Sequence, residues 1–283
     1  MTGAPGDTMR LGVVQFTPQF PGRDQNWGRI LGWSEQLEAD VIVFPELATC
    51  GYSYRDAEEI HPFTDAHDAL DRLVDVSRRK GRLLVGGFAE RDGDRLFNSA
   101  FAVVPEGVRI YRKIHLWGRE KAIFEAGSRP LEVEFRGHRF GVQICYDLQF
   151  PELASYLSHQ GVEILLVPAA WAQDPTPPTG GLQAYTYLGI ATSLAHGIFT
   201  AVINRTGTER GAIFPGESSV TDPWGRVKHL GPEGGTLVVD LDLRQVRAAK
   251  RPNEVNDLDT DARLGVRLPR GDRLPHEPSS RTR

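Results

Sequence analysis

The stretch SEQLEADVIVFPELA, residues 34 to 48, decides how the fold is interpreted. A segment with helical spacing leads through a short turn into the apolar run 41–44, and Pro45 and Glu46 follow at once. Apolar side chains at consecutive positions are typical of strands that are covered on both faces. A helix, a turn and such a strand in succession indicate a layered α/β protein.

A similar order of features occurs at residues 156 to 170, YLSHQGVEILLVPAA, although no strict repeat is present. This similarity predicts two related halves, each presenting residues at the carboxyl end of a strand, where α/β folds place their sites. Other apolar runs predict strands at residues 11–16, 83–90, 96–104, 140–147, 199–206 and 235–243. Helical periodicity predicts helices at residues 24–39, with Asp24 as a possible cap, and at 65–80 and 183–197.

Composition and charge exclude several classes of function. The chain has 283 residues, of which 40% are hydrophobic, and its formal net charge of −4 argues against nucleic-acid and membrane-surface binding. No apolar run is long enough to span a bilayer, and the beginning of the chain does not resemble a signal peptide. Cys50 and Cys145 do not form a disulfide framework, so we expect a cytoplasmic protein.

Motifs for metals and cofactors are missing from the sequence. The eight histidines are scattered, with no HExxH and no cysteine–histidine cluster. The sequence also lacks GxGxxG, GxxxxGK[ST] and GxSxG, which are signals for dinucleotides, nucleotide phosphates and a serine nucleophile. We therefore expect a protein that uses no metal and no cofactor.

Three apolar runs each end in a group that can take part in chemistry: Glu46, Lys113 and Cys145. A carboxylate, an ammonium and a thiol can together hydrolyse an amide through a thioester. The carboxylate takes the thiol proton, the thiolate attacks the carbonyl carbon, and the cation stabilises the oxyanion. Each residue alone has an ordinary structural explanation: Pro-Glu is common at strand ends, a single lysine usually lies in a solvated turn, and a buried cysteine usually packs.

The three motifs occur in the order and wording of a known family. The segments FPE (44–46) with a following GY, YRKIHLWGREKAIFEAG (111–127) and CYDLQFPE (145–152) resemble the Glu, Lys and Cys motifs of the nitrilase superfamily of carbon–nitrogen hydrolases. The resemblance covers roughly residues 10 to 260, including NRTGTERG and DPWGRV. It implies Glu46 as general base, Lys113 as the lysine of the triad and Cys145 as nucleophile.

The resemblance also implies supporting residues. A second glutamate of the family matches Glu120, although Glu125 is close enough to compete for this role, and the structural alternative for either is a surface glutamate. The backbone N–H of Tyr146 would complete the oxyanion hole. Tyr52 and Trp171 are candidate substrate-binding residues. For Trp171, a plain structural role in the core is an equally good interpretation.

The fold implied by the family is a four-layer αββα sandwich, in which two stacked mixed β-sheets are flanked by helices. We assign residues 10–262 to this domain and residues 263–283 to a tail that is disordered or wraps a partner. Members commonly form homodimers or larger homo-oligomers. This chain departs from a common family pattern around His196, which we interpret as structural and which leaves the pocket shape and the subunit contact open.

The resulting functional prediction is a carbon–nitrogen hydrolase that converts a small aliphatic amide to a carboxylate and ammonia. Hydrolysis of an N-carbamoyl amino acid or amine, or of a nitrile, would use the same triad. A catalytically silent binding or scaffold protein on the same fold is the alternative from another class. Cys50 either lines the pocket or packs in the core, and packing is the preferred interpretation.

Overall fold

Two six-stranded sheets stack face to face in the computed structural model, which describes residues 6–173 and 182–250. The first sheet has the strand order β14-β1-β2-β3-β4-β5. Its strands are β1 (Thr8–Gln15), β2 (Val41–Val43), β3 (Leu83–Asp92), β4 (Arg95–Val104), β5 (Gly107–Arg112) and β14 (Gly235–Asp242). The second sheet has the order β13-β12-β9-β8-β7-β6. Its strands are β6 (Leu131–Phe135), β7 (His138–Val142), β8 (Ile164–Ala169), β9 (Phe199–Asn204), β12 (Ser219–Thr221) and β13 (Val227–His229).

The longer helices flank the two sheets and complete the four layers. The helices of the described residues are α1 (Arg23–Gln36), α2 (Ala57–Ile60), α3 (His67–Lys80), α4 (Glu120–Ile123), α5 (Pro151–His159), α6 (Ala184–His196) and α7 (Arg244–Lys250). A separate hairpin joins β10 (Thr206–Glu209) to β11 (Ala212–Pro215). The predicted αββα fold is confirmed.

The two sheets share one pattern of strand pairing. From β14 to β5 the successive pairs are antiparallel, parallel, parallel, antiparallel and antiparallel, and the same series runs from β6 to β13. In this correspondence β2 is equivalent to β8. These are the two strands whose sequences are similar, so the similarity reflects two related halves of the fold.

Burial on both faces explains the continuous apolar runs. In β2, Val41 and Val43 face the other sheet, while Ile42 packs with the side chains beneath α1 and α3. Because successive side chains of a strand point to opposite faces, a strand that is covered on both sides needs apolar residues throughout. This requirement produces the sequence pattern from which the layered fold was predicted.

The structure differs from the sequence predictions at several boundaries. Helix α1 begins at Arg23, so Asp24 lies in its first turn and does not cap it. Strand β7 ends at Val142, and Cys145 begins a short 3-10 helix instead of continuing the predicted strand. Residues 251–283, which include the predicted tail and the predicted end of the domain at residue 262, lie outside the described residues.

Strand β3 approaches the turn after β2 very closely at Gly87. A Cβ atom at this position would lie 2.4 Å from the Leu47 nitrogen and 2.5 Å from the Glu46 Cα. The Gly87 N–H also donates to the Pro45 carbonyl over 2.9 Å. Glycine is therefore required here, because any side chain would displace the backbone that positions Glu46.

We expect Gly87→Ala to lower the free energy of unfolding by about 1–3 kcal/mol, because the added methyl group overlaps a backbone that cannot move without breaking strand pairing. The control is Gly28→Ala. Gly28 is an exposed position of α1 with open space around it, so alanine should stabilise the protein by about 0.5–1 kcal/mol. Urea unfolding of both variants measures the difference. A Gly87→Ala protein as stable as the wild type would contradict the packing argument.

Candidate active site

The Glu46 side chain connects the two sheets. It follows β2 and is fully buried, and its Oε2 accepts a hydrogen bond from the Ala170 N–H, just past β8, over 2.8 Å. Its Oε1 accepts hydrogen bonds from Lys113 Nζ and Asn98 Nδ2, each over 2.7 Å. The carboxylate is thus held by groups from both halves of the fold.

Lys113 lies directly after β5 and is also fully buried. Its Nζ donates to Glu46 Oε1 over 2.7 Å and to Glu120 Oε1 over 2.8 Å. Burial alone would lower the pKa of Lys113, but the two carboxylates outweigh this effect and raise the pKa well above its usual range. The side chain is therefore a permanent cation at neutral pH.

Glu120 is the first residue of α4. Besides Lys113, its Oε1 accepts hydrogen bonds from Tyr52 Oη over 2.7 Å and Asn98 Nδ2 over 3.3 Å, and its Oε2 accepts one from the Trp117 N–H over 2.9 Å. Burial raises the pKa of Glu120, Lys113 opposes this shift, and Glu46 adds to it. The Glu120 carboxyl is thus the second partner of the lysine.

Glu125, the competing glutamate of the sequence analysis, lies elsewhere. Its carboxylate accepts a hydrogen bond from Arg95 Nε over 2.7 Å, and about half of its side chain is exposed. Exposed ion pairs of this kind contribute little to stability. The lysine therefore has Glu120 as its neighbour, and Glu125 occupies the surface role.

Cys145 begins the 3-10 helix Cys145–Gln149 with a left-handed backbone, φ 47°. Such a conformation is uncommon for a residue with a side chain and is found at functional turns. Burial and the Glu46 carboxylate raise the pKa of its thiol well above the usual range, while Lys113 and the Ala170 N–H partly oppose them. The thiol is therefore protonated at neutral pH and can be activated by loss of its proton to a base.

A buried carboxylate fixes the turn that holds Cys145. Asp147 Oδ2 accepts hydrogen bonds from the Ile144 N–H over 3.0 Å and from Tyr111 Oη over 2.7 Å. Its Oδ1 accepts one from the His115 N–H over 2.9 Å and lies 2.8 Å from His115 Nδ1. Tyr111 belongs to β5, the strand that leads to Lys113, so Asp147 connects the thiol turn to the lysine strand.

A cavity of about 350 Å³ lies over Cys145. The three predicted substrate-binding residues, Tyr52, Tyr146 and Trp171, all line it. The sequence analysis did not single out Trp117, which also lines the cavity and whose ring centroid lies 4.8 Å from that of Tyr146. Aromatic walls with few polar groups are usual for small-molecule sites.

A larger cavity of about 720 Å³ lies at the end of β1 and is lined by Arg29, Trp33 and Thr206 among others. In the correspondence between the halves, β1 is equivalent to β7, so this cavity is the counterpart of the one beside Cys145. It contains no thiol, and neither Glu46 nor Lys113 lines it. Size alone therefore does not identify the site, and the chemistry assigns the smaller cavity.

Sequence reasoning missed three further contributors. Asn98 donates to the carboxylates of Glu46 and Glu120. In the sequence, the feature that could have indicated it is a polar amide inside the apolar run of β4. Asn204 accepts from the Trp171 N–H over 2.8 Å and donates to its carbonyl over 3.1 Å, which fixes that wall of the cavity. Ala170 contributes a backbone N–H, and no side-chain pattern could have indicated it.

The remaining sequence candidates lie outside this group. His196 ends α6. Burial is the main cause that lowers its pKa, and the charges of His159 and Lys250 lower it further. Cys50 is buried in a separate apolar cluster with Leu47 and Tyr54, as the packing interpretation expected.

Among the described residues, no group of three or more His, Cys, Asp or Glu is arranged to hold a metal, and independence of metal stays a prediction. Within the same residues, no helix has the length and apolarity required to cross a bilayer.

Comparisons with known proteins agree with this geometry. The family model for carbon–nitrogen hydrolases matches residues 10–251. A nitrilase of Pyrococcus abyssi is 33% identical over 90% of this chain and 97% of its own, and an (R)-stereoselective amidase of Pseudomonas sp. is 35% identical over 86% and 88%. Among solved structures, a mutant amidase of Nesterenkonia sp. AN1 has a TM-score of 0.72 at 27% identity and covers 90% of this chain and 99% of its own. In that structure the acetamide moiety of fluoroacetamide is added covalently to the active-site cysteine.

An αββα fold with Cys145 at the position expected of a catalytic cysteine defines a hydrolase of carbon–nitrogen bonds. The chain belongs to the carbon–nitrogen hydrolase family, and it falls in the amidase-like branch of the nitrilase superfamily.

We expect Asp147→Asn to lower the free energy of unfolding by about 1–3 kcal/mol and to reduce the rate of carbon–nitrogen bond hydrolysis. The new NH2 group would face donors that a carboxylate oxygen now satisfies. Tyr111→Phe is the matched control, because it removes one donor and leaves Asp147 with its two backbone N–H partners, so its effect on both quantities should be smaller. Urea unfolding and the rate of ammonia release measure the two effects. If Asp147→Asn matched the wild type in both, the carboxylate would not hold the turn.

Proposed function

We propose that this protein hydrolyses a small aliphatic amide to a carboxylate and ammonia through a thioester on Cys145. The observation that carries the proposal is the convergence of Glu46, Lys113 and Glu120 beneath the cavity that contains Cys145. Relatives named as amidases support the choice of bond, and so does the covalent adduct at the cysteine of the Nesterenkonia amidase.

The proposed reaction begins with transfer of the Cys145 proton to Glu46, after which the thiolate attacks the amide carbon. The negative charge on the former carbonyl oxygen is stabilised by the Lys113 ammonium and by the Tyr146 N–H. Collapse of the tetrahedral intermediate expels ammonia, which takes the proton from Glu46, and leaves an acyl thioester. Water then attacks the thioester with Glu46 as base, and the tetrahedral intermediate expels the Cys145 thiolate, which takes the proton back from Glu46. The carboxylic acid that forms loses its remaining proton to solvent and departs as the carboxylate.

Amide hydrolysis fits these groups better than nitrile hydrolysis. An amide develops an oxyanion and needs one proton for its leaving ammonia, and Lys113 and protonated Glu46 supply these two requirements. A nitrile gives a thioimidate, whose nitrogen can take the proton of Glu46 directly, so the first step of that path forms no oxyanion for the lysine to stabilise. A silent scaffold would have no need for a buried cation held by two carboxylates, because burying charged groups is costly.

The test compares propionamide with propionitrile at equal concentrations and measures ammonia release. We expect kcat/KM for the amide to exceed that for the nitrile at least about tenfold, because the oxyanion stabilisation acts on the amide path. An acyl adduct on Cys145 should appear in intact mass after rapid quench. Faster turnover of the nitrile would contradict the proposed bond preference.

Cysteine variants provide the matched controls. Cys145→Ala should reduce turnover by more than about 10³-fold and abolish the adduct, because the nucleophile is gone. Cys50→Ala removes the other buried thiol, which lies in a separate apolar cluster, and should keep both turnover and adduct. If Cys145→Ala retained substantial turnover, a thioester mechanism would be ruled out.

We also propose that the protein acts as a homodimer or larger homo-oligomer in the cytoplasm. The exposed side of α6 presents Leu194, with 51% of its surface accessible, and Trp224 is another exposed large apolar residue at 45%. Exposed apolar groups of this size are common at subunit contacts. A thiol nucleophile and a second free cysteine suit a reducing compartment.

Analytical ultracentrifugation tests the assembly. We expect wild-type protein to sediment as a dimer or larger species and Leu194→Asp to shift it toward the monomer, because a carboxylate would be buried without a partner. Arg226→Ala changes an exposed residue near Trp224 without placing a charge in an apolar contact and serves as the control. Monomeric wild-type protein would overturn the proposed assembly.

A further inference from the structure

The cavity at Cys145 has walls without charge. Aromatic rings form much of the described lining, and its polar side-chain groups are the phenols of Tyr52 and Tyr146 and the amides of Gln149 and Gln173. The other lining residues apart from Cys145 are alanines, so no lysine, arginine or histidine lines the described part of the cavity. The sequence that follows Gln173 as far as Gln183 contains none of these residues either.

The buried ion cluster of Glu46, Lys113 and Glu120 carries no net positive charge. Lys113 has no exposed side-chain surface, and its ammonium is bound by Glu46 and Glu120. The net charge of these three groups is −1 when both carboxyls are ionised and zero when Glu120 holds a proton. In neither state do the three groups carry a net positive charge that would attract an anionic substrate.

The buried Arg205 is paired with a carboxylate. Arg205 lies beyond the cavity with only 1% of its surface exposed, and its Nη1 donates to Glu209 Oε2 over 2.6 Å. The same Glu209 carboxylate accepts from the Tyr52 N–H over 2.8 Å, so it fixes the loop that carries one wall of the cavity. The guanidinium therefore helps to hold the carboxylate that binds the Tyr52 loop, and it does not line the cavity.

We propose that the substrate is an amide whose acyl group carries no negative charge, and that carboxylate-bearing amides and N-carbamoyl amino acids are excluded. This inference rests on the proposed amide hydrolysis and narrows its substrate class. A carboxylate entering the cavity would lose water without gaining a cation, and it would approach a centre that is neutral or negative. An uncharged acyl chain has neither disadvantage and gains contact with the aromatic walls.

The test compares succinamide with succinamate. The two ligands have nearly the same size and shape, but succinamide is neutral and succinamate carries one carboxylate. We expect kcat/KM for succinamide to exceed that for succinamate by about 100-fold after correction for its two equivalent amides. Comparable kcat/KM values, or a higher value for succinamate, would overturn the proposal.

A charge-introducing variant tests the cause. Gln149 is exposed at the end of the 3-10 helix that begins with Cys145, and Gln149→Arg would place a guanidinium at the cavity. The ratio of the two kcat/KM values should fall at least about tenfold in this variant. Gln149→Met has similar length without charge and should keep the wild-type ratio. If the arginine and methionine variants gave the same ratio, charge would not be what excludes the anion.

Binding to the Cys145→Ala protein separates this proposal from the proposed reaction. Calorimetry on that variant should show at least about tenfold tighter binding of succinamide than of succinamate, whether or not the wild-type enzyme turns either over. Absence of ammonia and of an acyl adduct in the wild type, with this preference intact, would refute the reaction and support the charge selection. Equal binding of both ligands would refute the charge selection even if amides are hydrolysed.

Discussion

The Lys113 ammonium, buried between the Glu46 and Glu120 carboxylates, is the interaction on which the rest of the site depends. A buried charge is tolerated only when it is paired and hydrogen-bonded, and removing one partner of such a group typically costs about 3–5 kcal/mol. Here every carboxylate oxygen has a donor: Asn98, Tyr52, the Ala170 N–H and the Trp117 N–H supplement the lysine. Those donors come from separate segments, so the ion cluster fixes their relative positions.

The duplicated architecture explains why the site lies where it does. Strands β2 and β8 are equivalent in the two halves, and the residues after them meet: the Glu46 N–H donates to the Ala169 carbonyl over 3.3 Å, and the Ala170 N–H donates to Glu46 Oε2. The first half contributes both carboxylates and the lysine, and the second contributes the thiol. Neither sheet contains the whole group, so the chemistry exists only after the sheets have stacked.

Much of the fold could be predicted from local sequence because both faces of the central strands are buried. Continuous apolar runs marked most strands of the two sheets, and the similarity of 34–48 to 156–170 marked the two halves. The ends of elements were less predictable. The apolar run before Cys145 extends past the end of β7, so it did not show where the strand stops. Cys145 has a left-handed backbone in a turn that is held by the hydrogen bond from the Ile144 N–H to Asp147 Oδ2. Asn98 and Ala170 join the site only through the stacking of the sheets, which no local pattern records.

The environment of Cys145 has a consequence for chemical durability. Oxidants and alkylating agents attack the thiolate form of cysteine, and burial beside Glu46 raises the pKa of this thiol so that the resting protein holds it protonated. In the proposed reaction the thiolate forms only when Glu46 takes the proton during turnover. A protonated thiol reacts slowly with peroxides and electrophiles, so the raised pKa protects Cys145 in the resting protein.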